Sequence, residues 1–404
     1  MKLLWVAPCF LHPTTRGGQI RTLEIVKRLH RRHEVHFAGL ADPEQPEGPE
    51  RAGEYCSRVI AVPHGMPARG SAAFAGQVVR GLVQSMPVAI RRTFSPALRD
   101  QVSQAMHKER YDHIVCDFLA SVPNVADLGH AVLFQHNVET MIWRRHAAHA
   151  ADPLRRAYFS LQASRMERYE AQACRRARSV IAVSPGDRDQ MRDTFGVTRI
   201  GDVPTGVDAT YFAPPPPAGQ TTPPRAGIVF TGSMDWMPNI DGILWFAREI
   251  LPLLRRTHPD CEITIAGRKP APAIQELARA DARIRVTGTV PNIRPFLWGA
   301  AAAIVPLRIG GGTRLKIYES MAAGVPVVST TLGAEGLDYT DGQSILIADT
   351  PADFAVACAR LLADTATATA IAQTAQVLVA ERFSWDGVID SFEHQLEHPG
   401  AAGL

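Results

Sequence analysis

The segment of residues 303–330 constrains the fold more than any other part of this 404-residue chain. Its sequence is AIVPLRIGGGTRLKIYESMAAGVPVVST: an apolar run, three glycines, a helix-forming stretch that stops at Gly324, and a second apolar run. Strand, glycine turn, helix and strand in this order make a βαβ unit, which requires a parallel sheet. Because glycines let the backbone approach a ligand and a helix N-terminus offers unpaired N–H groups, this turn predicts a phosphate site.

Charged side chains surround the start of that helix. The predicted phosphate-binding residues are Arg308, Gly310, Gly311, Gly312, Thr313, Arg314 and Lys316. Gly312, Lys316 and Glu319 are spaced i, i+4 and i+7, so they share one helix face and place a carboxylate within reach of the phosphates. Such a carboxylate would bind a sugar hydroxyl. The alternative is an ordinary turn followed by a surface ion pair between Lys316 and Glu319, worth about 0.2–0.5 kcal/mol.

Apolar runs alternate with helical segments along the whole chain, which predicts an α/β protein with two doubly wound parallel sheets. The predicted strands are Leu3–Ala7, Val35–Leu40, Arg58–Val62, His113–Cys116, Ala131–Gln135, Ser179–Val183, Gly227–Thr231, Glu262–Ala266, Ile284–Thr287, Ala302–Val305, Val327–Ser329 and Ser344–Ile347. A stiff, proline-rich stretch, APPPPAGQTTPPR at 213–225, separates the two halves. We predict domains at residues 1–205 and 206–380, followed by a C-terminal helical segment, 381–404.

Composition limits the compartment and the chemistry. The six cysteines are scattered without zinc spacing, which indicates reduced thiols in the cytoplasm. No apolar run reaches about 18 residues, and the start MKLLWVAPCF fits a first strand better than a signal peptide. The acids of Asp187-Arg188-Asp189 fit the first turn of a helix better than a metal–nucleotide motif. The sequence contains no P-loop and no dinucleotide fingerprint, so we expect neither a metal nor a cofactor.

Charge is distributed unevenly along the chain. The net charge is +3, but residues 1–210 carry an excess of seven basic side chains and residues 211–404 an excess of four acidic ones. Nine arginines lie within residues 142–178, with aromatic side chains between them. No nucleic-acid motif accompanies them, which leaves an anionic membrane surface as the favoured partner and a solvated helix face as the alternative. We therefore expect a cytoplasmic protein with peripheral attachment to the inner face of the cytoplasmic membrane.

The run ESMAAGVPVVST, which begins with Glu319, resembles the signature of glycosyltransferase family 4, retaining enzymes of the GT-B type. In that signature a first Glu precedes the second by eight positions, and Gly311 occupies its place here. The stretch VPLRxGGGTRLKxxE resembles a variant found in sugar transferases of exopolysaccharide and PEP-CTERM clusters. The resemblance implies two Rossmann-like domains facing across a cleft and a C-terminal helix that crosses back to the first domain.

The family resemblance also implies roles for individual residues. Gly17 and Gly18 would approach the donor, although alone they fit an ordinary turn. His136, which ends an apolar strand, would contact the reacting sugar, although a lone histidine is often structural. Glu319 would hold the ribose. The remaining donor-binding positions implied by the resemblance are Gly232, Arg268 and Val290. Where many members carry an Arg and a Lys after the first strand of the second domain, this chain has Ser233 and Asn239.

These features predict a retaining, metal-independent transferase that uses a UDP- or GDP-linked sugar. Its acceptor would be a glycan or a lipid-linked glycan of cell-surface polysaccharide synthesis. Arg308, Arg314 and Lys316 would stabilise the leaving diphosphate. Two alternatives remain open: a sugar-nucleotide 2-epimerase on the same fold, and a non-catalytic subunit that binds sugar nucleotides.

Overall fold

The computed structural model describes residues 1–14, 17–65, 76, 81, 84–150, 152–215, 225–310 and 315–401. The chain divides into two compact units. The first comprises Met1–Thr205 with Asp386–Leu404, and the second comprises Gly206–Trp385. Each unit is built on its own parallel sheet.

The first unit contains a seven-stranded sheet in the order β3-β2-β1-β4-β5-β6-β7. Its strands are β1 (Lys2–Ala7), β2 (Glu34–Ala41), β3 (Arg58–Pro63), β4 (His113–Asp117), β5 (Ala131–Phe134), β6 (Ser179–Ala182) and β7 (Ile200–Asp202). Its helices are α1 (Gly17–Arg32), α2 (Glu47–Glu50), α3 (Val88–Arg91), α4 (Pro96–Lys108), α5 (Glu139–His149), α6 (Pro153–Arg176) and α7 (Pro185–Phe195), with 3-10 turns at Ala52–Glu54, Leu119–Asn124 and Leu128–His130. The strand order reverses between β1 and β4.

The second unit contains a six-stranded sheet in the order β10-β9-β8-β11-β12-β13. Its strands are β8 (Ile228–Thr231), β9 (Ile263–Ala266), β10 (Ile284–Gly288), β11 (Ala302–Val305), β12 (Val327–Ser329) and β13 (Leu346–Ile347). Its helices are α8 (Ala209–Phe212), α9 (Met237–Trp245), a π-helical turn (Phe246–Ile250), α10 (Leu251–Leu254), α11 (Pro272–Ala280), α12 (Arg294–Trp298), α13 (Leu315–Ala322), α14 (Pro351–Ala363) and α15 (Thr365–Arg382). The last helix, α16 (Trp385–Glu397), belongs to the first unit except for its first residue. In the second unit the strand order reverses between β8 and β11.

The central strands are apolar and buried on both faces, as expected where helices cover both sides of a parallel sheet. Several helices begin with a side-chain cap followed by proline. Ser184 accepts a hydrogen bond from the backbone N–H of Asp187 and donates to its carboxylate, which closes the first turn of α7. Arg188 forms ion pairs with Asp189 and Asp202. The acids at 187 and 189 therefore serve a helix cap and surface ion pairs.

The predicted fold class is confirmed, since both sheets are parallel and doubly wound. All twelve predicted strands are present, with ends that differ by at most two residues. The additional strand, β7, has only three residues, one of them Gly201, and is too short to produce a pattern. The last helix begins at Trp385 rather than at Glu381, because the carbonyl of Phe383 leaves the helix and accepts from the N–H of Val207, 2.8 Å away.

No single helix in the described part of the chain has both the length and the apolar composition of a membrane span. Helices α14 and α15 meet that description only when taken together, and they bend by 100° at the break between them. Their inward faces carry buried side chains such as Phe354 and Val379.

Candidate functional site

Several of the predicted site residues, together with Asp117, follow or end strands at or next to the point where each strand order reverses. In the first unit, Gly18 follows β1, Asp117 ends β4 and His136 follows β5. In the second, Gly232 follows β8 and Arg308 follows β11. In open α/β sheets, ligands bind beyond the carboxyl ends of strands at such a reversal. Each unit therefore has a candidate site at the position that this topology favours.

His136 lies in a buried polar network. Its Nε2 is 2.7 Å from Oδ1 of Asp117, and its Nδ1 is 3.1 Å from Nη1 of Arg21. Because a guanidinium has only donors, Nδ1 accepts from Arg21 and Nε2–H donates to Asp117. Thr22 Oγ1 donates to the second oxygen of Asp117, at 2.8 Å. Burial lowers the pKa of His136, and the nearby Asp117 opposes this shift. The guanidinium that faces Nδ1 requires this nitrogen to accept a hydrogen bond, so the imidazole is neutral.

The imidazole of His136 stacks on Phe118, with ring centroids 3.7 Å apart and planes 10° from parallel. Phe118 has a φ of +65°, which is rare for a residue with a side chain. A Cβ at Gly18 would lie 2.6 Å from Cζ of Phe118, so a larger residue here would require this ring to shift. The structure thus gives Gly18 a packing role. The donor-binding role of Gly17 and Gly18 stays a prediction.

A second carboxylate supports the segment that carries His136. Buried Glu170 accepts hydrogen bonds from the backbone N–H groups of Glu139 and Thr140, at 2.9 and 2.8 Å, and from Thr140 Oγ1 at 2.6 Å. It also accepts from Gln135 Nε2 at 3.1 Å. Glu170 thereby caps the start of α5 from a neighbouring helix, although its burial raises its pKa to about 7. Glu170 therefore holds the residue before His136 and the start of the helix that follows it.

In the second unit, the turns after β8 and β9 pack tightly around Lys316. The Lys316 ammonium donates to Asn239 Oδ1 at 2.9 Å and lies 4.1 Å from the ring centroid of Phe230. A Cβ at Gly232, whose φ is +153°, would lie 2.7 Å from this ammonium. A Cβ at Gly267 would collide with the carbonyl oxygen of Gly232. These contacts hold a positive charge at the carboxyl end of β8.

Glu319 lies one helical turn beyond Lys316 on α13 and is half-buried. Desolvation raises its pKa to about 7, and Lys316 opposes the shift. Within the described ranges, no residue donates a hydrogen bond to this carboxylate. The carboxylate is therefore able to accept hydrogen bonds from a ligand that supplies O–H or N–H donors.

Two of the predicted phosphate-binding cations are engaged with carboxylates. Arg308 contacts both oxygens of Asp241, at 3.1 and 2.8 Å. Arg268 lies 3.6 Å from a carboxylate oxygen of Asp235. The charges of Arg308 and Arg268 are therefore balanced by carboxylates in this structure.

The other donor-binding predictions are dispersed. Gly310 follows β11 with a φ of +109°, a conformation that favours glycine. Val290 is half-buried in the turn after the edge strand β10. The predicted residues outside the described part of the chain are Gly311, Gly312, Thr313 and Arg314.

Sequence reasoning missed the partners of His136, namely Arg21, Asp117 and Phe118. A signal for one of them existed. Asp117 ends the apolar run HIVCD, and His136 follows the neighbouring run AVLF. A charged residue at the end of a buried strand lies where α/β folds place functional groups.

One group in the described chain has metal-ligand geometry. Ligand atoms of Glu34, His36 and Glu109 lie within 4.8 Å of one another. The ammonium of Lys2 lies 3.1 Å from Glu34 and 2.6 Å from Glu109. Because Lys2 supplies the positive charge that these carboxylates need, the group is a salt-bridge cluster at the amino ends of β1 and β2.

Two family models match the chain. Residues 15–211 match the model described as Glycosyltransferase Family 4, and residues 225–364 match the model described as Glycosyl transferases group 1. Among curated proteins, an uncharacterized 44.6 kDa protein in the cps region of Klebsiella pneumoniae is 28% identical over 138 residues, covering 32% of this chain and 36% of that protein. A glycogen synthase of Mycobacterium tuberculosis is 27% identical over 230 residues, 54% of each chain. The matches therefore span about half or less of these relatives.

Solved structures share the fold over nearly the whole chain. The Anabaena protein HepE, in complex with UDP, has a TM-score of 0.67 at 14% identity and covers 98% of this chain and 100% of its own. A sucrose-phosphate synthase from Thermosynechococcus elongatus has a TM-score of 0.71 at 16% identity and covers 98% of each chain. These likenesses confirm the predicted GT-B fold. The matches of the two family models, which together span most of the chain, show that it belongs to the group 1 and family 4 glycosyltransferases.

Proposed function

We propose that this protein is a retaining, metal-independent glycosyltransferase that moves a sugar from a nucleoside diphosphate donor to a glycan or lipid-linked glycan. The observation that carries the proposal is the pair on α13: the Lys316 ammonium and the Glu319 carboxylate, one turn apart, at the strand reversal of the second unit. A cation could contact the phosphates of a nucleotide, while a carboxylate one helical turn away could accept hydrogen bonds from the ribose hydroxyls of the same nucleotide.

Lys316 would stabilise the leaving group. Negative charge develops on the diphosphate as the glycosidic bond breaks, and a preorganised ammonium favours that charge without reorganising at the moment of reaction. The contacts to Asn239 and Phe230 restrict the ammonium to one position. Arg308 and Arg268 would contribute only if a ligand drew them from Asp241 and Asp235.

Glu319 would accept hydrogen bonds from the ribose. Two vicinal hydroxyls can donate to the two oxygens of one carboxylate, and hydrogen bonds to a charged group contribute about 1.5–3 kcal/mol each. The fold shared with HepE, which has been solved with UDP and with UDP-glucose, supports a UDP-linked donor.

His136 would position the donor sugar rather than transfer a proton. Both ring nitrogens are engaged, by Asp117 and by Arg21, and the ring is stacked on Phe118. These contacts hold the ring in one orientation. The contact with the sugar stays a prediction.

Calorimetry in EDTA tests donor binding, with UDP, GDP and ADP titrated separately into the pure protein. We expect one of the three to bind. Failure of all three, with binding restored by magnesium or manganese, would contradict the metal-independent site. Nucleotide release from UDP-glucose or GDP-mannose then separates the alternatives: a binding subunit releases none, and an epimerase converts the sugar nucleotide into an isomer that NMR detects.

For the acceptor, the α5–α6 helix pair supports a lipid-linked glycan. The exposed arginines of this pair include Arg155 and Arg156 near its tip, where Leu154 is 82% exposed beside them, and Arg175 and Arg176 at the far end of α6. Basic side chains around an exposed apolar residue fit an anionic membrane surface. The relative in the cps region of Klebsiella pneumoniae supports a role in cell-surface polysaccharide synthesis. Peripheral attachment to the membrane and assignment to an exopolysaccharide subgroup belong to this proposal.

Liposome co-sedimentation tests this surface. The variant R155E/R156E/R175E/R176E should lose binding to anionic vesicles at low salt, since each basic residue near the surface contributes about 1 kcal/mol. A matched control reverses four exposed arginines of the second unit: Arg248, Arg256, Arg279 and Arg285. Equal binding of wild type to neutral and anionic vesicles, or equal losses in both variants, would argue for a soluble acceptor.

A further inference from the structure

Arg21 is a buried cation to which the proposed function assigns no contact with the substrate. It lies on α1 with 4% of its surface exposed. Its Nη1 donates to Nδ1 of His136 at 3.1 Å, and its Nη2 donates to Thr205 Oγ1. Thr205 is the last residue of the first unit before the chain enters the second. One guanidinium therefore connects the candidate sugar-facing histidine to the segment that leaves this unit.

The charges around His136 explain why a cation is needed there. Asp117, on β4, faces Nε2 and favours the protonated imidazolium. Arg21, on α1, faces Nδ1 and opposes it, and Asp187, on α7, stabilises the charge of Arg21. Burial lowers the pKa of Arg21 to about 10, so it remains charged at neutral pH. Without Arg21, His136 would face Asp117 alone and would bind a second proton more readily.

We propose that Arg21 is a positioning residue that holds His136 as a neutral imidazole with its proton on Nε2 and fixes the ring relative to Thr205. The two contacts require a planar group with several N–H donors. A lysine supplies charge but cannot bridge both acceptors in the same plane. The inference concerns the state of His136, and it rests on the proposed function only for its effect on turnover.

The tautomer is measured directly by long-range ¹H–¹⁵N correlation on the full chain labelled with ¹⁵N-histidine. The His136→Gln variant identifies the His136 signals among the 14 histidines. We expect an unprotonated Nδ1 and a protonated Nε2 that do not change between about pH 5.5 and 8.5, well either side of the ordinary histidine pKa. A proton on Nδ1 in the wild type, or titration in this range, would overturn the proposal.

The Arg21→Met variant removes the donor and keeps the length of the side chain. Its His136 should become doubly protonated at a higher pH than in the wild type, because Asp117 then acts without an opposing cation. Arg31→Met, on the exposed side of the same helix, is the control and should leave the His136 signals unchanged. Unchanged His136 signals in Arg21→Met would overturn the proposal.

Two further variants keep the test decisive if Arg21→Met does not fold. Arg21→Lys should keep His136 neutral and change its ¹⁵N chemical shifts. Thr205→Val should keep the tautomer of His136 and broaden or move its ring signals. If neither variant changes any His136 signal, the proposal is wrong.

Turnover gives a separate readout. Arg21→Met should lower kcat for nucleotide release roughly tenfold or more, as expected when a substrate-positioning group is displaced, with UDP affinity within about twofold of wild type. If wild-type protein releases no nucleotide from any donor, the proposed function is wrong. The NMR experiment still tests the protonation state of His136, because it does not depend on turnover. A normal kcat in a variant whose His136 has changed protonation would remove the link to catalysis.

Discussion

The two strand reversals of this protein carry opposite kinds of polar site. Around His136, both ring nitrogens have partners within the unit, and Asp117, Arg21, Thr22 and Thr205 form a network of hydrogen bonds. Around Glu319, a carboxylate in a desolvated position receives no hydrogen bond from the described residues. The first arrangement is held by contacts within the unit, whereas the proposed nucleotide would supply the hydrogen bonds of the second.

Energetics explain why both kinds can exist in one chain. A buried polar group without a partner costs about 1–3 kcal/mol, which a stable domain tolerates at one position. Binding a ligand that supplies donors recovers this cost and adds affinity. A residue that only orients a substrate must instead be held by its own protein, because any displacement reduces the rate. The difference predicts that variants in the second unit weaken binding, while variants in the first lower turnover.

The largest effect should come from Lys316→Met. Losing the ammonium removes the charge that faces the diphosphate, and charge-assisted contacts of this kind contribute about 1.5–3 kcal/mol, up to about a hundredfold in Kd. Isothermal titration with the nucleotide that binds wild type measures the change. Arg308→Met is the comparison, with a smaller expected loss because Arg308 is paired with Asp241. Equal losses in both variants would show that the ion pair opens on binding.

Glu319→Gln and His136→Ala should separate binding from turnover. Glu319→Gln should weaken nucleotide binding by roughly tenfold, because an amide is a poorer acceptor than a carboxylate. His136→Ala should bind the nucleotide nearly as wild type and release it from the sugar more slowly. Calorimetry and a coupled assay for released nucleotide measure the two quantities. A folded His136→Ala protein with normal turnover would make His136 structural.

The pH dependence of donor affinity should distinguish the two sites further. The carboxylate of Glu319 is the form that accepts from hydroxyls, and its pKa is raised to about 7. Affinity for a nucleotide sugar should therefore fall as the pH drops from 8 to 6, by less than about tenfold for one group over this range. Glu319→Gln should abolish the dependence, whereas Arg31→Met should retain it. A pH-independent wild type would mean that the ligand does not contact this carboxylate.

The smallest expected effect is on stability at the first site. Gly18→Ala places a Cβ 2.6 Å from Cζ of Phe118, and overpacking of this kind costs about 1–3 kcal/mol, here near the lower end because the edge of the ring can shift. Gly53→Ala, where no atom lies within 4 Å, is the control. Urea unfolding measures both. Equal stability of the two variants would mean that the Phe118 ring moves aside freely.

Much of this fold could be predicted because parallel strands covered on both faces are continuous apolar runs. HIVC, AVLF and IVFT identify β4, β5 and β8 without knowledge of the rest of the chain. Helix spacing likewise put Lys316 and Glu319 on one face. β7 escaped prediction because three residues that include a glycine carry too little local information.

The sequence by itself determined which residues end strands and which begin helices, and hence that His136, Gly232, Lys316 and Glu319 belong near carboxyl ends. Only the tertiary structure decided their partners. Arg21 and His136 are 115 positions apart, and Arg308 is 67 positions from Asp241. Local periodicity reports which face of an element is buried. Which charges meet across elements depends on strand order and side-chain direction, and those are set when the two sheets fold.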